Sequence, residues 1–206
     1  MNFMKLAASA LLAAGLLSAP ASAVPIAATG TTDVTVSETV LAFLGDNGIT
    51  PSPIAPATAA GATFSFPITG GDTDPLVINH SGGLSLAAGA AFLEASDFVI
   101  DAGAGTVFGS AVGSALGTDP VFADLFTLDG VAVTDGVISA DLLITAKLNE
   151  VLGLTFVGED SLTLTGEVFG TASTSPAPVP LPAGALLLIG GLGMLGMVRR
   201  RRTSKA

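Results

Sequence analysis

From Thr31 onward the chain is built of short runs in which apolar and polar residues alternate, the period of two that a strand with one buried face requires. TTDVTVSETVLAFL sets Val34 and Val36 on one side against polar neighbours, and TFSFPI sets Phe64 and Phe66 on one face. FVID, TVFGSAV, VFADLFTL, VAVTDGVISADLLIT and DSLTLTGEVFG continue the pattern. Turn-forming groups separate the runs, among them Gly45-Asp46-Asn47-Gly48, Gly70-Gly71-Asp72, Ser81-Gly82-Gly83, Leu128-Asp129-Gly130 and Thr134-Asp135-Gly136. Many short strands with frequent turns predict a mainly β domain, an antiparallel β-sandwich, over residues 24–170. One short helix interrupts it at Ala146–Leu152: Leu148, Val151 and Leu152 share a face, Thr145 is placed to cap the start and Gly153 to end it. Thr50–Ala62 reads as a Pro/Ala-rich loop, and residues 171–180 as a Pro-rich stalk.

The two ends follow a different logic. Residues 1–23 have a positive start with Lys5, an apolar stretch from Leu6 to Leu17, and small residues Ala21 and Ala23 before Val24. That is the pattern of a secretory signal helix cut by signal peptidase after Ala23. Residues 181–198 carry no charge and, as a helix, reach about 27 Å, close to the hydrocarbon thickness of a bilayer. Arg199, Arg200, Arg201 and Arg202 open a basic tail, 199–206, that holds the C-terminus in the cytoplasm. The sequence thus predicts a body outside the cytoplasm on a C-terminal transmembrane helix. Within that helix Gly191, Gly193 and Gly196 spell G-x-G-x-x-G, but no strand precedes them, so they allow close packing and do not cradle a dinucleotide.

Charge separates the same parts. Between Val24 and Pro180, Lys147 stands alone against all 17 acids of the chain, a net −16. Such a surface repels phosphate, which excludes nucleic acid and anionic headgroups as partners. The chain has no cysteine, so it offers neither thiol nucleophile nor thiolate metal ligand.

The segment Val179-Pro180-Leu181-Pro182-Ala183, followed by the apolar span and the arginines, resembles the tripartite C-terminal sorting signal of the PEP-CTERM class in its VPLPA form. The resemblance implies an exosortase-like membrane protease or transpeptidase as processing partner, and a protein delivered to the cell surface or the extracellular matrix. Alternating prolines at 176, 178, 180 and 182 favour an extended strand above the membrane, the form a protease groove receives.

Ile78-Asn79-His80-Ser81-Gly82-Gly83-Leu84, with Phe98-Val99-Ile100-Asp101 beyond it, resembles recurrent β-rich domains of exported proteobacterial proteins and, more distantly, haem-uptake surface domains that use a Tyr and a His. The resemblance implies haem or a metal at His80; the chain contains no Tyr. From the residues alone, the only histidine is a ligand or general base, or a polar group fixing the turn before Gly82, and the second reading is favoured because ligand sets need several donors. Ser81 and Ser85 are nucleophile candidates on paper with Asp101 as orienting acid, yet neither serine sits in G-x-S-x-G. Asp72-Thr73-Asp74, Asp129-Gly130, Asp135-Gly136 and Glu159-Asp160 offer oxygen ligands for Ca2+ without matching an EF-hand loop. The 11 phenylalanines fit the strand pattern as core, and Trp and Tyr are missing, so an adhesive face would rest on hydroxyls and acids.

These features predict a non-enzymatic structural or adhesive surface protein with no catalytic residue, no resident metal and no required cofactor, and with exopolysaccharide as its candidate matrix partner. The alternative is a small-ligand, haem or metal module centred on His80.

Overall fold

The computed structural model describes residues 25–26, 29–135, 137–158 and 163–176. The strands are β1 (Pro25–Ile26), β2 (Gly30–Val36), β3 (Thr50–Ile54), β4 (Thr58–Ala60), β5 (Thr63–Thr73), β6 (Leu76–His80), β7 (Gly83–Ala88), β8 (Ala91–Asp101), β9 (Thr106–Gly113), β10 (Gly117–Thr134), β11 (Val137–Ile144) and β12 (Val168–Pro176). The helices are α1 (Glu38–Asp46) and α2 (Ala146–Leu152), the second running into a π-helical turn, Gly153–Val157.

Strand pairing closes on itself. Going round, β2 pairs β5, then β6, β8, β9, β10, β11 and β12, and β12 returns to β2, every pair antiparallel. The predominance of strand is as expected from the sequence, but the expected sandwich is instead a closed eight-stranded barrel. Alternation is the same for both, since each buries one face of each strand. What decides is curvature: register shifts interrupt the ladders at Ile68/Gly70, Ser96/Val99, Asp124/Phe126 and Leu142/Leu143, and such bulges bend a sheet toward closure. Strand length also matters. β8 is long enough to pair β6 through Val99–Asp101 and β7 through Ala91–Ser96, so β7 and β3 extend from the barrel wall.

An eight-stranded barrel has an interior that side chains can just fill. Here Phe64, Phe66, Phe98, Phe126 and Phe169 point inward with Val34, Leu142 and Ile144. Phe66 meets Phe98 edge-on at 5.2 Å, and Phe126 tilts against Phe169 at 4.9 Å, contacts that contribute about 0.5–1.5 kcal/mol each beyond burial. Outward positions on β2, β12 and β11 are Thr31, Asp33, Thr35, Thr171, Ser173, Ser175, Ser139 and Asp141. On these three strands, apolar inside and polar outside is the reverse of a barrel that spans a membrane.

Four local expectations change. Ser37 ends β2 and starts a helix: its Oγ accepts from the Val40 amide at 3.3 Å, and Val40 and Leu44, four apart, enter the core. The expected loop Thr50–Ala62 contains β3 and β4, with Pro51 and Pro53 on a strand at the sheet's edge, where a missing N–H is tolerated. The expected stalk from residue 171 begins inside the barrel, because β12 runs to Pro176 between β11 and β2. The helix at Ala146–Leu152 forms as expected, with Thr145 Oγ1 accepting from the Leu148 amide at 3.1 Å. It does not stop at Gly153, which stays right-handed; the chain turns out at Gly158, at φ 79°.

Among the described residues no helix is long and apolar enough to cross a membrane. The signal segment with Ala21, Ala23 and Val24, the motif Val179–Ala183, the span 181–198 and Arg199–Arg202 lie outside the described residues.

Candidate functional site

His80 ends β6, opposite Ile68 of β5, and is only 5% exposed. It does not fix a turn at the surface; it points into the barrel. Its Nδ1 lies 3.1 Å from the Phe98 carbonyl of β8 and its Nε2 lies 2.6 Å from the Thr32 hydroxyl of β2. A carbonyl only accepts, so Nδ1 carries the proton of the neutral ring and donates it there. Nε2 is then the lone-pair nitrogen and accepts from Thr32. The Thr32 oxygen in turn accepts from the Thr174 hydroxyl of β12 at 2.9 Å. Thr32 and Thr174 are each 2% exposed, so one buried chain of hydrogen bonds ties four barrel strands together. Burial pulls the His80 pKa below its ordinary value, and the bond to the Phe98 carbonyl opposes part of that shift.

The neighbouring glycines have packing reasons. A Cβ on Gly82, at φ 79°, would lie 2.5 Å from the Ala57 nitrogen, and one on Gly83 would lie 2.2 Å from the Ala95 carbonyl oxygen. The pair lets the chain leave β6 and press at once against β3 and β8.

Beside His80 is a cavity of ≈ 40 Å³ walled by Phe64, Phe66, Phe98, Phe126, Phe169 and Thr32, with other apolar side chains. Pockets that enclose a drug-sized ligand run to about 300–1,000 Å³. A haem macrocycle therefore does not fit in this cavity, and the hydroxyl that His80 meets is that of Thr32. The arrangement offers a neutral lone-pair nitrogen, oriented by a carbonyl bond of the kind metal-binding histidines use, in a chamber for only a few atoms.

The other sequence candidates do not gather round it. Both ring nitrogens are engaged by Thr32 and Phe98, neither by a serine or an acid. Asp101 accepts from the Ala104 amide at 2.9 Å in its own turn, and Ser85 pairs across strands with Ser52 and Glu94. Among the described residues no three His, Cys, Asp or Glu side chains converge to hold a metal; Glu159 and Asp160 lie outside them.

One feature was missed. Not all phenylalanines are core: Phe122 on β10 is 62% exposed and stacks on Phe108 of β9, centroids 5.8 Å apart and planes 12° from parallel. Strand parity contains the signal, since Phe122 shares its face with Asp124, and Phe108 shares its face with Thr106 and Ser110.

No protein-family model matches the chain, and no curated protein matches it. Among solved structures, the chain is similar to the C-terminal domain of HtaA from Corynebacterium glutamicum, with 11% identity, 75% of this chain and 99% of that chain covered, and a TM-score of 0.53. The N-terminal domain of the same protein aligns at 15% identity over 74% of this chain and 99% of that chain, with a TM-score of 0.49. At these identities the C-terminal domain shows a shared fold, and this barrel is therefore an architecture found in a solved bacterial protein.

Proposed function

We propose that the chain is an exported, non-enzymatic binding module displayed at the cell surface, with the barrel as a rigid support. The observation that carries this reading is the engaged state of the only histidine: buried in a phenylalanine-lined interior and bonded at both nitrogens, it supports architecture and activates no nucleophile. A polar exterior, with one cation among the described residues, supports a body that works in solvent outside the cell. The sequence supports delivery by the signal segment and processing by an exosortase-like enzyme at Val179–Ala183, the structural or adhesive role following from that address.

A second reading, a small-ligand, haem or metal module centred on His80, has two supports of its own. One is the fold shared with the HtaA C-terminal domain; the other is the bond to Phe98 that presents Nε2 as a lone pair. Haem titration of the purified protein separates the readings. The packed interior predicts no His80-dependent Soret band; a band lost in His80→Ala and retained in a surface variant replaces the adhesive reading with the ligand one.

A further inference from the structure

We infer that the outer face of β8, β9 and β10 is a carbohydrate-binding platform, with Phe122 as its stacking residue and a neutral polysaccharide as its ligand. The inference rests on reading the chain as an exported surface module and adds to it a site and a ligand class.

The strand registers assemble the face. Phe122 lies opposite Ser110, which lies opposite Ser96; Asp124 lies opposite Phe108; and Glu94 lies opposite Val112. Phe108 backs one side of the Phe122 ring and leaves the ring largely in solvent. An exposed aromatic ring is costly to hydrate, and its apolar face complements the C–H face of a pyranose ring. The surrounding groups match a sugar's rim: the carboxylates of Glu94 and Asp124 accept from hydroxyls, and Ser110 both donates and accepts. Beneath, the platform is stiff, because Leu93, Ala95, Ala111 and Leu125 of the same strands pack on Leu148 and Val151 of α2. Rigid support is what a preformed binding face requires.

Charge selects the ligand class. Lys147, the only cation among the described residues, pairs with Glu150 on α2 at 3.2 Å, so an anionic polymer finds no partner on this face. A small cation is a poorer match than a sugar chain. Glu94 and Asp124 lie opposite residues four apart on β9, roughly 13 Å by strand rise, too far to converge on one ion. Phe92, on the Glu94 side of β8 and 37% exposed, gives a second apolar point beyond Glu94. Two apolar points with the Glu94 carboxylate between them and Asp124 beyond Phe122 suit an extended oligomer better than a single sugar.

The test is electrophoresis of the purified full chain through gels containing dextran, xylan or galactomannan, followed by titration with oligosaccharides of the retarding polymer. Retardation by at least one polymer is expected, with affinity rising with oligomer length and falling roughly ten-fold or more in Phe122→Ala, as for a central aromatic contact. Val133→Ser, at an apolar site 67% exposed on another part of β10, should bind like the parent. Circular dichroism confirms that each variant is folded, and Phe122→Tyr should restore binding if Phe122→Ala abolishes it. Retardation by none of the polymers, equal retardation of parent and Phe122→Ala, or binding confined to choline or polylysine would overturn the proposal. Surface accessibility, measured separately, keeps the two readings apart: export without glycan binding sinks the platform, whereas glycan binding without export sinks the surface assignment.

Discussion

His80 Nε2 and the Thr32 hydroxyl lie 2.6 Å apart in a region where both side chains are buried, and this contact joins β6 to β2, the two strands that flank β5 in the barrel wall. With Phe98 at one end and Thr174 at the other, the histidine acts as an internal tie.

Removing one hydroxyl of that tie leaves a buried nitrogen without a partner. Thr32→Val keeps the shape of the side chain and is expected to destabilise the fold by about 1–3 kcal/mol. Thr32→Ser, which retains the donor, should recover much of that loss. Urea unfolding of the three proteins checks it, and equal stability of Thr32→Val and parent would show that the contact contributes nothing.

Acid should weaken the same tie. The folded pKa of His80 lies below the ordinary histidine value of about 6.5, so between the two the unfolded chain binds the proton and the folded chain does not. This contribution is fully present above about 6.5 and is lost as pH falls from there toward the folded pKa, below which it is constant. Comparing unfolding free energies of parent and His80→Gln from pH 8 to 5 isolates it: the difference between them should shrink on acidification. A difference independent of pH would mean that the ring is no harder to protonate in the fold.

The start of α2 is fastened at three points. Thr145 Oγ1 accepts from the Leu148 amide and lies 2.9 Å and 3.1 Å from the Asp124 and Leu125 carbonyls, to which its hydroxyl donates. Thr145→Ala should cost about 1–2 kcal/mol, the upper range for a helix cap, and Thr145→Ser much less. Thermal unfolding distinguishes these outcomes.

Much of this architecture is legible in the sequence, and the illegible parts have physical reasons. Alternation in TTDVTV and TFSFPI reports a buried face, and Val34, Val36, Phe64 and Phe66 are buried as read. Alternation does not report which strands meet at the ends of the sheet, so a closed barrel and a sandwich look alike until bulges such as Ser96/Val99 are seen. The α1 helix was hidden because Val40 and Leu44 also continue a strand-like apolar run, and only Ser37 marks the change of period. At the site, the solitary His80 was visible, while Thr32 and Thr174, 48 and 142 residues from their partners in the chain of bonds, are ordinary strand threonines until the fold brings them together.

Processing at the tail has its own test. Replacing Pro180 and Pro182 removes the residues that hold the motif extended, and is expected to block release of the C-terminal segment without blocking export. Intact mass of the protein from its host reads the outcome; unchanged maturation would count against the motif.

Display of the barrel outside the cell can be read directly, because the chain has no cysteine and Val133 is 67% exposed. In a Val133→Cys variant, a bulky membrane-impermeant maleimide added to intact cells and their medium should label the protein without lysis. Labelling that appears only after the cells are broken would place the barrel inside and contradict the account.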